Sequence, residues 1–181
     1  RSETTASENP FTDIHAEDYY YDAVLWAAQK GVTGGTSDTT FTPDGACTRA
    51  QAVTFLWRAA GSPEPKTLSS FADIPADSYY AKAVAWAVEN GVAKGVSDTL
   101  FAPDTTCTRA QIVTFLWRAQ QSPSAGSANP FADISADAYY ADAVLWAVEN
   151  GVAKGMSSTA FAPDANCTRA QIVTFIYRCM K

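Results

Sequence analysis

The chain has one histidine, four cysteines and no apolar stretch approaching the roughly 20 residues of a membrane span. With His15 alone, no Cys–His pair or histidine triad can recur, and His15 itself reads as a solvated loop residue. Basic residues are also scarce. Thirteen Lys and Arg stand against 19 Asp and Glu, a formal charge of −6, so the overall field repels polyanions and nucleic acid is not an expected partner. Cysteine is too sparse for a disulfide scaffold. Cys167 and Cys179 fall on one expected helix about 18 Å apart, too far to bridge. The thiols read as small buried hydrophobes. Cys47, Cys107 and Cys167 occupy one repeated position, but no further ligand accompanies them and no metal site is assigned. Glycine-rich phosphate loops and calcium-loop spacings are missing, so no cofactor is expected. No carboxylate pair is singled out for sugar hydrolysis, so no catalytic residue is assigned and the chain is not expected to be an enzyme. The sequence opens at Arg1 without a signal-peptide pattern, which fits either a processed end or a piece of a larger protein.

Apolar content of 47%, with five Trp, eight Tyr and nine Phe, is ample for a packed core and argues against disorder. The organisation is repetitive. Phe11, Phe71 and Phe131 are spaced by 60 residues, as are Trp26, Trp86 and Trp146, and Arg49, Arg109 and Arg169. Residues 71–119 and 131–179 align without a gap and agree at 37 of 49 positions, which establishes homologous units. The repeats run over 10–61, 70–120 and 130–181, with linkers at 62–69 and 121–129 of Pro, Ser and Gly character.

Each unit opens with F-x-D-I and continues into a helix, Tyr79 to Asn90 in the second copy. Tyr80, Ala83, Val84 and Ala87 share one face there, and Gly91 is placed as a left-handed stop. A loop with an early glycine ends in Phe101-Ala-Pro. Thr108 then precedes Gln111 by three positions, a capping box that starts a second helix, repeated at Thr48/Gln51 and Thr168/Gln171. Ile112, Val113, Leu116 and Trp117 form its apolar stripe. A unit of about 50 residues buries too little surface to stand alone, so the three must pack together, as a ring or as an open stack.

Arg49, Arg109 and Arg169 follow the cap at the first helical position, next to the positive end of the helix dipole, where a cation is mildly unfavourable. Two explanations stay open. An anion is held there by the guanidinium and nearby loop amides, or the arginines pair internally with Asp44, Asp104 and Asp164 or with Asp13, Asp73 and Asp133. Trp26, Trp86 and Trp146 lie at the edge of the buried stripe, either as packing or as a wall for a sugar face. Gly35, Gly95 and Gly155 either make a turn or admit a ligand to the backbone. The Tyr pairs starting at Tyr19, Tyr79 and Tyr139 read as helix-start packing with exposed hydroxyls.

F-x-D-I, A-V-x-W-A-x-x-x-G-V, F-x-P-D and T-R-A-Q, in this order and three times over, resemble the S-layer homology domain. The resemblance implies a mainly α fold, with three helix–loop–helix repeats in a pseudo-threefold arrangement around a central helical bundle and grooves between neighbours. It also implies a non-catalytic module of a larger extracellular protein at the bacterial cell wall or S-layer. Its partner would be an anionic secondary cell-wall polysaccharide, commonly carrying pyruvylated N-acetylmannosamine, or modified peptidoglycan. The glycan-binding residues it implies are Arg49, Arg109 and Arg169, Trp26, Trp86 and Trp146, Gly35, Gly95 and Gly155, and Asp13, Asp73 and Asp133. The alternative is a cell-surface protein-interaction or adhesive module that uses the same fold without binding glycan. The sequence departs from the family pattern at Gln51, Gln111 and Gln171, where the family usually has Glu. Gly34 stands where the other copies have Lys94 and Lys154, so unequal grooves are expected.

Overall fold

The computed structural model describes residues 8–126 and 128–180. The opening segment with Arg1, Ser127 of the second linker and Lys181 of the third repeat lie outside the described residues. The described residues form six helices and no sheet: α1 (Tyr21–Gln29), α2 (Arg49–Ala59), α3 (Ala81–Glu89), α4 (Arg109–Ala119), α5 (Ala141–Glu149) and α6 (Arg169–Met180). None is long and apolar enough to cross a membrane.

The first helix of each repeat begins two residues later than its periodicity suggests. In the second copy Tyr80 is the N-cap and makes no side-chain cap bond, because Tyr79 and Tyr80 are taken up in a turn closed by the Ala81 N–H on the Ser78 carbonyl at 3.2 Å. The far end behaves as read. Gly31, Gly91 and Gly151 adopt φ of 70°, 68° and 69°, and the following Val92 N–H returns to the Ala87 carbonyl at 2.8 Å. The capping boxes at Thr48 and Thr108 are complete in both directions, and Thr168 makes the same two bonds with Gln171. Such a cap stabilises a helix start by about 1 kcal/mol.

Each second helix packs on the first helix of the next repeat: α2 on α3, α4 on α5, and α6 back on α1. Meanwhile α2, α4 and α6 pack on one another at the centre. The contact between α6 and α1 closes the body into a ring, which removes the open stack. At the axis the Cys107 N–H donates to the Cys47 carbonyl (2.8 Å), Cys167 to Cys107 (2.9 Å) and Cys47 to Cys167 (3.1 Å), a cycle of main-chain bonds. The three thiols are fully buried, and burial pushes those of Cys47 and Cys167 up to about 12. All four cysteines are free, and no three His, Cys, Asp or Glu side chains gather as a metal site among the described residues.

The linkers are held more firmly than their composition implies. The indole N–H of Trp57 donates to the Pro63 carbonyl and that of Trp117 to the Pro123 carbonyl, both at 2.8 Å. Glu89 Oε1 accepts from the N–H groups of Lys66 and Thr67 at 2.7 and 2.9 Å.

Candidate functional site

Interleaving carries each arginine out of its own repeat. Arg49 is 4% exposed, and its guanidinium lies 4.7 Å from the ring centroid of Phe101 and 5.6 Å from that of Phe115, both supplied by the second repeat. Nε donates to the Phe101 carbonyl at 3.1 Å and Nη2 to the Lys94 carbonyl at 2.9 Å. Arg109 repeats this against the third repeat, with 2.9 Å to Phe161 and 2.6 Å to Lys154. Arg169 closes the cycle on the first repeat, with Nε on the Phe41 carbonyl at 2.9 Å and Nη2 on the Thr33 hydroxyl at 3.4 Å.

The acceptors are carbonyls and one hydroxyl, so the internal ion pair considered as a structural role is not formed. Among the described residues the ion pairs are His15–Asp18 and Lys82–Glu64. Asp44, Asp104 and Asp164 are exposed to solvent. Burial pushes the pKa of all three guanidinium groups down, while the stacked rings favour the cation. The Nη1 groups have no partner among the described residues. The fully enclosed side-chain polar atom without a partner there is Ser69 Oγ, so the arginine ends open to solvent.

They open into grooves. The Arg49 groove, about 330 Å³, is lined by Lys94, Gly95 and Val96 of the second loop, by Gln111 and Arg118 of α4, and by Tyr139 of the third repeat. The Arg109 groove, about 280 Å³, is lined by Lys154, Gly155, Met156, Gln171, Arg178 and Tyr19. Each groove therefore draws on all three repeats. No Asp or Glu lines either one, and together they hold six of the chain's 13 Lys and Arg. A protein of formal charge −6 thus concentrates positive potential at two joints of its ring.

The helix amides take no part. Arg49 N–H donates to the Thr105 carbonyl at 2.8 Å, Ala50 N–H to the Pro103 carbonyl at 3.0 Å, and Gln51 N–H to the Thr48 hydroxyl at 3.1 Å. The first amides of this helix are thus paired with loop carbonyls of the next repeat and with the cap hydroxyl.

The remaining candidate residues separate by position. Gly95 and Gly155 line the grooves, and a Cβ on Gly95 would sit 2.5 Å from Phe71 Cε1 and 2.7 Å from the Leu100 carbonyl. Gly35 adds a φ of +87° to the same crowding. Close packing against the opening Phe thus requires these glycines. Asp13, Asp73 and Asp133 lie behind the loops. The Asp73 carboxylate accepts from the N–H groups of Phe101 (2.9 Å) and Ala102 (2.7 Å), and the Phe101 carbonyl on the other side receives Arg49 Nε. Asp13 and Asp133 hold residues 41–42 and 161–162 in the same way. For Asp13 the raising effect of burial is outweighed by the Phe41 and Thr42 amides. The Phe161 amide, and then that of Ala162, holds Asp133 below the usual carboxylate range.

The tryptophans do not line these two grooves. Trp26 packs edge-on to Tyr177 at 5.5 Å, Trp86 faces a hollow with Pro63, Lys66 and Asn90, and Trp146 is buried beside a hollow that shares Arg178 with the Arg109 groove. Sequence reasoning did not single out Arg118, Arg178, Tyr19 and Tyr139 as site residues. Arg58, Arg118 and Arg178 do recur every 60 residues, but a cation in a last helical turn is explained by the dipole alone. The tyrosines read as packing residues with exposed hydroxyls, and Tyr139, 60% exposed, lies in the Arg49 groove. Burial pushes its phenol pKa up, opposed by Arg118 and Arg49.

These features define a closed ring of helical repeats with arginine-floored grooves at two of its joints. Comparison with known proteins gives the family. The S-layer homology domain model matches residues 10–53, 70–113 and 130–173, and the chain belongs to that family. It is 34% identical over 179 residues to the Surface-layer 125 kDa protein of Lysinibacillus sphaericus, covering 97% of this chain and 15% of that protein. An endoglucanase of Bacillus sp. (strain KSM-635) is 28% identical over 94% of this chain and 18% of its own length. The S-layer protein of Bacillus thuringiensis subsp. finitimus is 25% identical over 97% of this chain and 22% of its own length. The chain thus spans less than a quarter of each of these relatives. The shared segment is a module of bacterial cell-surface and S-layer proteins, located at the cell wall.

Proposed function

We propose that this chain anchors a larger surface protein by holding an anionic cell-wall polysaccharide, without catalysis, in the grooves between its repeats. One observation carries the reading: a guanidinium that is nearly buried, partnered by carbonyls and not by a carboxylate, opens beside a lysine and a second arginine. A buried charge without a counter-ion is costly, and a ligand carboxylate supplies one. A pyruvyl ketal on N-acetylmannosamine fits this chemistry, since it sets a carboxylate and a methyl group on one sugar. The methyl group has an apolar neighbour in Val96 or Met156, exposed by 59% and 64%. Two or more such grooves in one rigid ring would hold a polymer by avidity while each contact stays weak.

The arginines also hold the ring together, so exposed groove residues make the cleaner test. Lys94→Glu combined with Lys154→Glu is expected to leave the thermal transition unchanged. It should weaken sedimentation with purified cell walls by at least about tenfold, since two like charges enter the grooves. Walls whose polymer has been removed by acid extraction should bind neither form. Undiminished binding of the variant, or of the wild type to stripped walls, would favour the adhesive alternative over the glycan anchor.

A further inference from the structure

The joint where Arg169 meets the first repeat is built differently from the two grooves described. Its loop has Gly34 in place of Lys94 and Lys154, so one of its three cations is missing. Thr36, Thr40 and Thr42 stand where the second copy has Val96, Leu100 and Ala102, and the third has Met156, Ala160 and Ala162. These threonines bond to one another, with Thr36 Oγ1 at 2.6 Å from Thr42 Oγ1 and at 3.1 Å from Thr40 Oγ1. Where Val96 lines the Arg49 groove, the first repeat thus presents the Thr36 hydroxyl, tied to those of Thr40 and Thr42. Arg58, the counterpart of Arg118, donates through Nη1 to the Val32 carbonyl at 3.2 Å, which draws its charge toward the main chain. Arg169 itself is held by a hydroxyl where Arg49 and Arg109 are held by carbonyls. Every one of these differences lowers the positive potential or raises the neutral hydrogen-bonding capacity of that one joint.

We infer, resting on the anionic-ligand reading above, that the chain carries two kinds of joint. The Arg49 and Arg109 grooves take the charged sugar. The Arg169 joint, one cation poorer, prefers an uncharged saccharide, read through its threonine hydroxyls. A wall polymer with alternating charged and uncharged residues would then be read in register around the ring, with the charged units at two joints and the neutral unit at the third.

Sodium sulfate, a dianion with no sugar, separates the charge claim from the wall claim. Arginine Nε–H resonances of Arg49, Arg109 and Arg169 are followed by nitrogen-edited NMR during a titration at constant ionic strength. Arg49 and Arg109 are expected to report sulfate binding roughly tenfold tighter than Arg169, the order set by one additional cation at short range. Gly34→Lys is the decisive variant, because a Cβ at Gly34 meets no atom within 4 Å and its φ lies outside the left-handed region. It should tighten sulfate binding at Arg169 several-fold and leave Arg49 unmoved, while Lys94→Gly should weaken the Arg49 response alone. Equal affinity at all three arginines, or a Gly34→Lys chain with an unchanged Arg169 response, overturns the inference. Absence of any response overturns it together with the anionic-ligand reading. If Arg49 and Arg109 take sulfate in the expected order while cell walls fail to bind, the wall reading alone falls.

Discussion

The axis of the ring and its rim have diverged to different degrees. On the axis, T-R-A-Q opens all three central helices, the three Cys close one cycle of main-chain bonds, and Phe41, Phe101 and Phe161 are completely buried. On the rim, Thr36, Val96 and Met156 differ in both polarity and size at one equivalent position. A threefold contact places each axial side chain against its own copies, so a change there must be accommodated at all three joints. A loop tip faces solvent or ligand and answers to its own groove. Close packing thus fixes the first region, while the solvent-facing second region is free to differ.

The comparison can be broken most forcefully at Phe101. Phe101→Ala removes a fully buried ring and one face of the Arg49 sandwich, and a loss of about 3–5 kcal/mol is expected in chemical denaturation. Because the helix pairs span repeat boundaries, the transition should remain single, with all three repeats unfolding together. Two transitions would mean that repeats are the folding units after all.

Glycines give a sharper contrast of intermediate size. Gly95→Ala drives a methyl to 2.5 Å from Phe71 and 2.6 Å from the Ser97 carbonyl, and should cost about 1–3 kcal/mol. Gly34→Ala, one position before the equivalent glycine of the first copy, meets open space and should leave the melting temperature unchanged or slightly raised. Similar losses for the two would show that loop packing is looser than the distances imply.

A smaller effect is expected from acid. Asp13 and Asp133 have folded pKa values below the ordinary one, so the unfolded chain takes up their protons first. Their contribution is therefore fully present above about pH 4 and is lost as pH falls through the lower folded values. Asp133→Asn should flatten that part of the stability profile measured by thermal melts between pH 6 and pH 2.5. An unchanged profile would mean that the amide bonds at Phe161 and Ala162 carry no net charge preference. Smallest of all for stability, Lys94→Glu should shift unfolding by less than about 0.5 kcal/mol while changing ligand binding. Rim and axis would then be separable by experiment.

Much of the fold was legible because it rests on short-range rules. The capping boxes, the glycine stops and the buried Cys47, Cys107 and Cys167 follow from residue types at fixed offsets, and the structure shows each of them, while Cys179, also read as buried, is half-exposed near the end of α6. The start of α3 was misplaced by two residues, since Tyr79 and Tyr80 satisfy a helical periodicity while closing a turn. The site was legible only in part. Arginine and glycine meet in the two grooves described, whereas the tryptophans lie outside them and the aspartates act from behind the loops. Recurrence every 60 residues marks a position as constrained and does not say whether packing or a ligand constrains it.

From the amino-acid order alone came three homologous units, their helix starts and stops, and the anomaly of a cation beside a positive helix end. Those depend on the chain's local covalent and hydrogen-bonding geometry. Tertiary structure decided that each arginine serves the neighbouring repeat, that carbonyls and not carboxylates hold it, and that lysine, arginine and tyrosine from all three units meet at one joint. Those outcomes depend on how α6 returns to α1 and closes the ring. Such closure is set by the packing of distant surfaces, which no local pattern encodes.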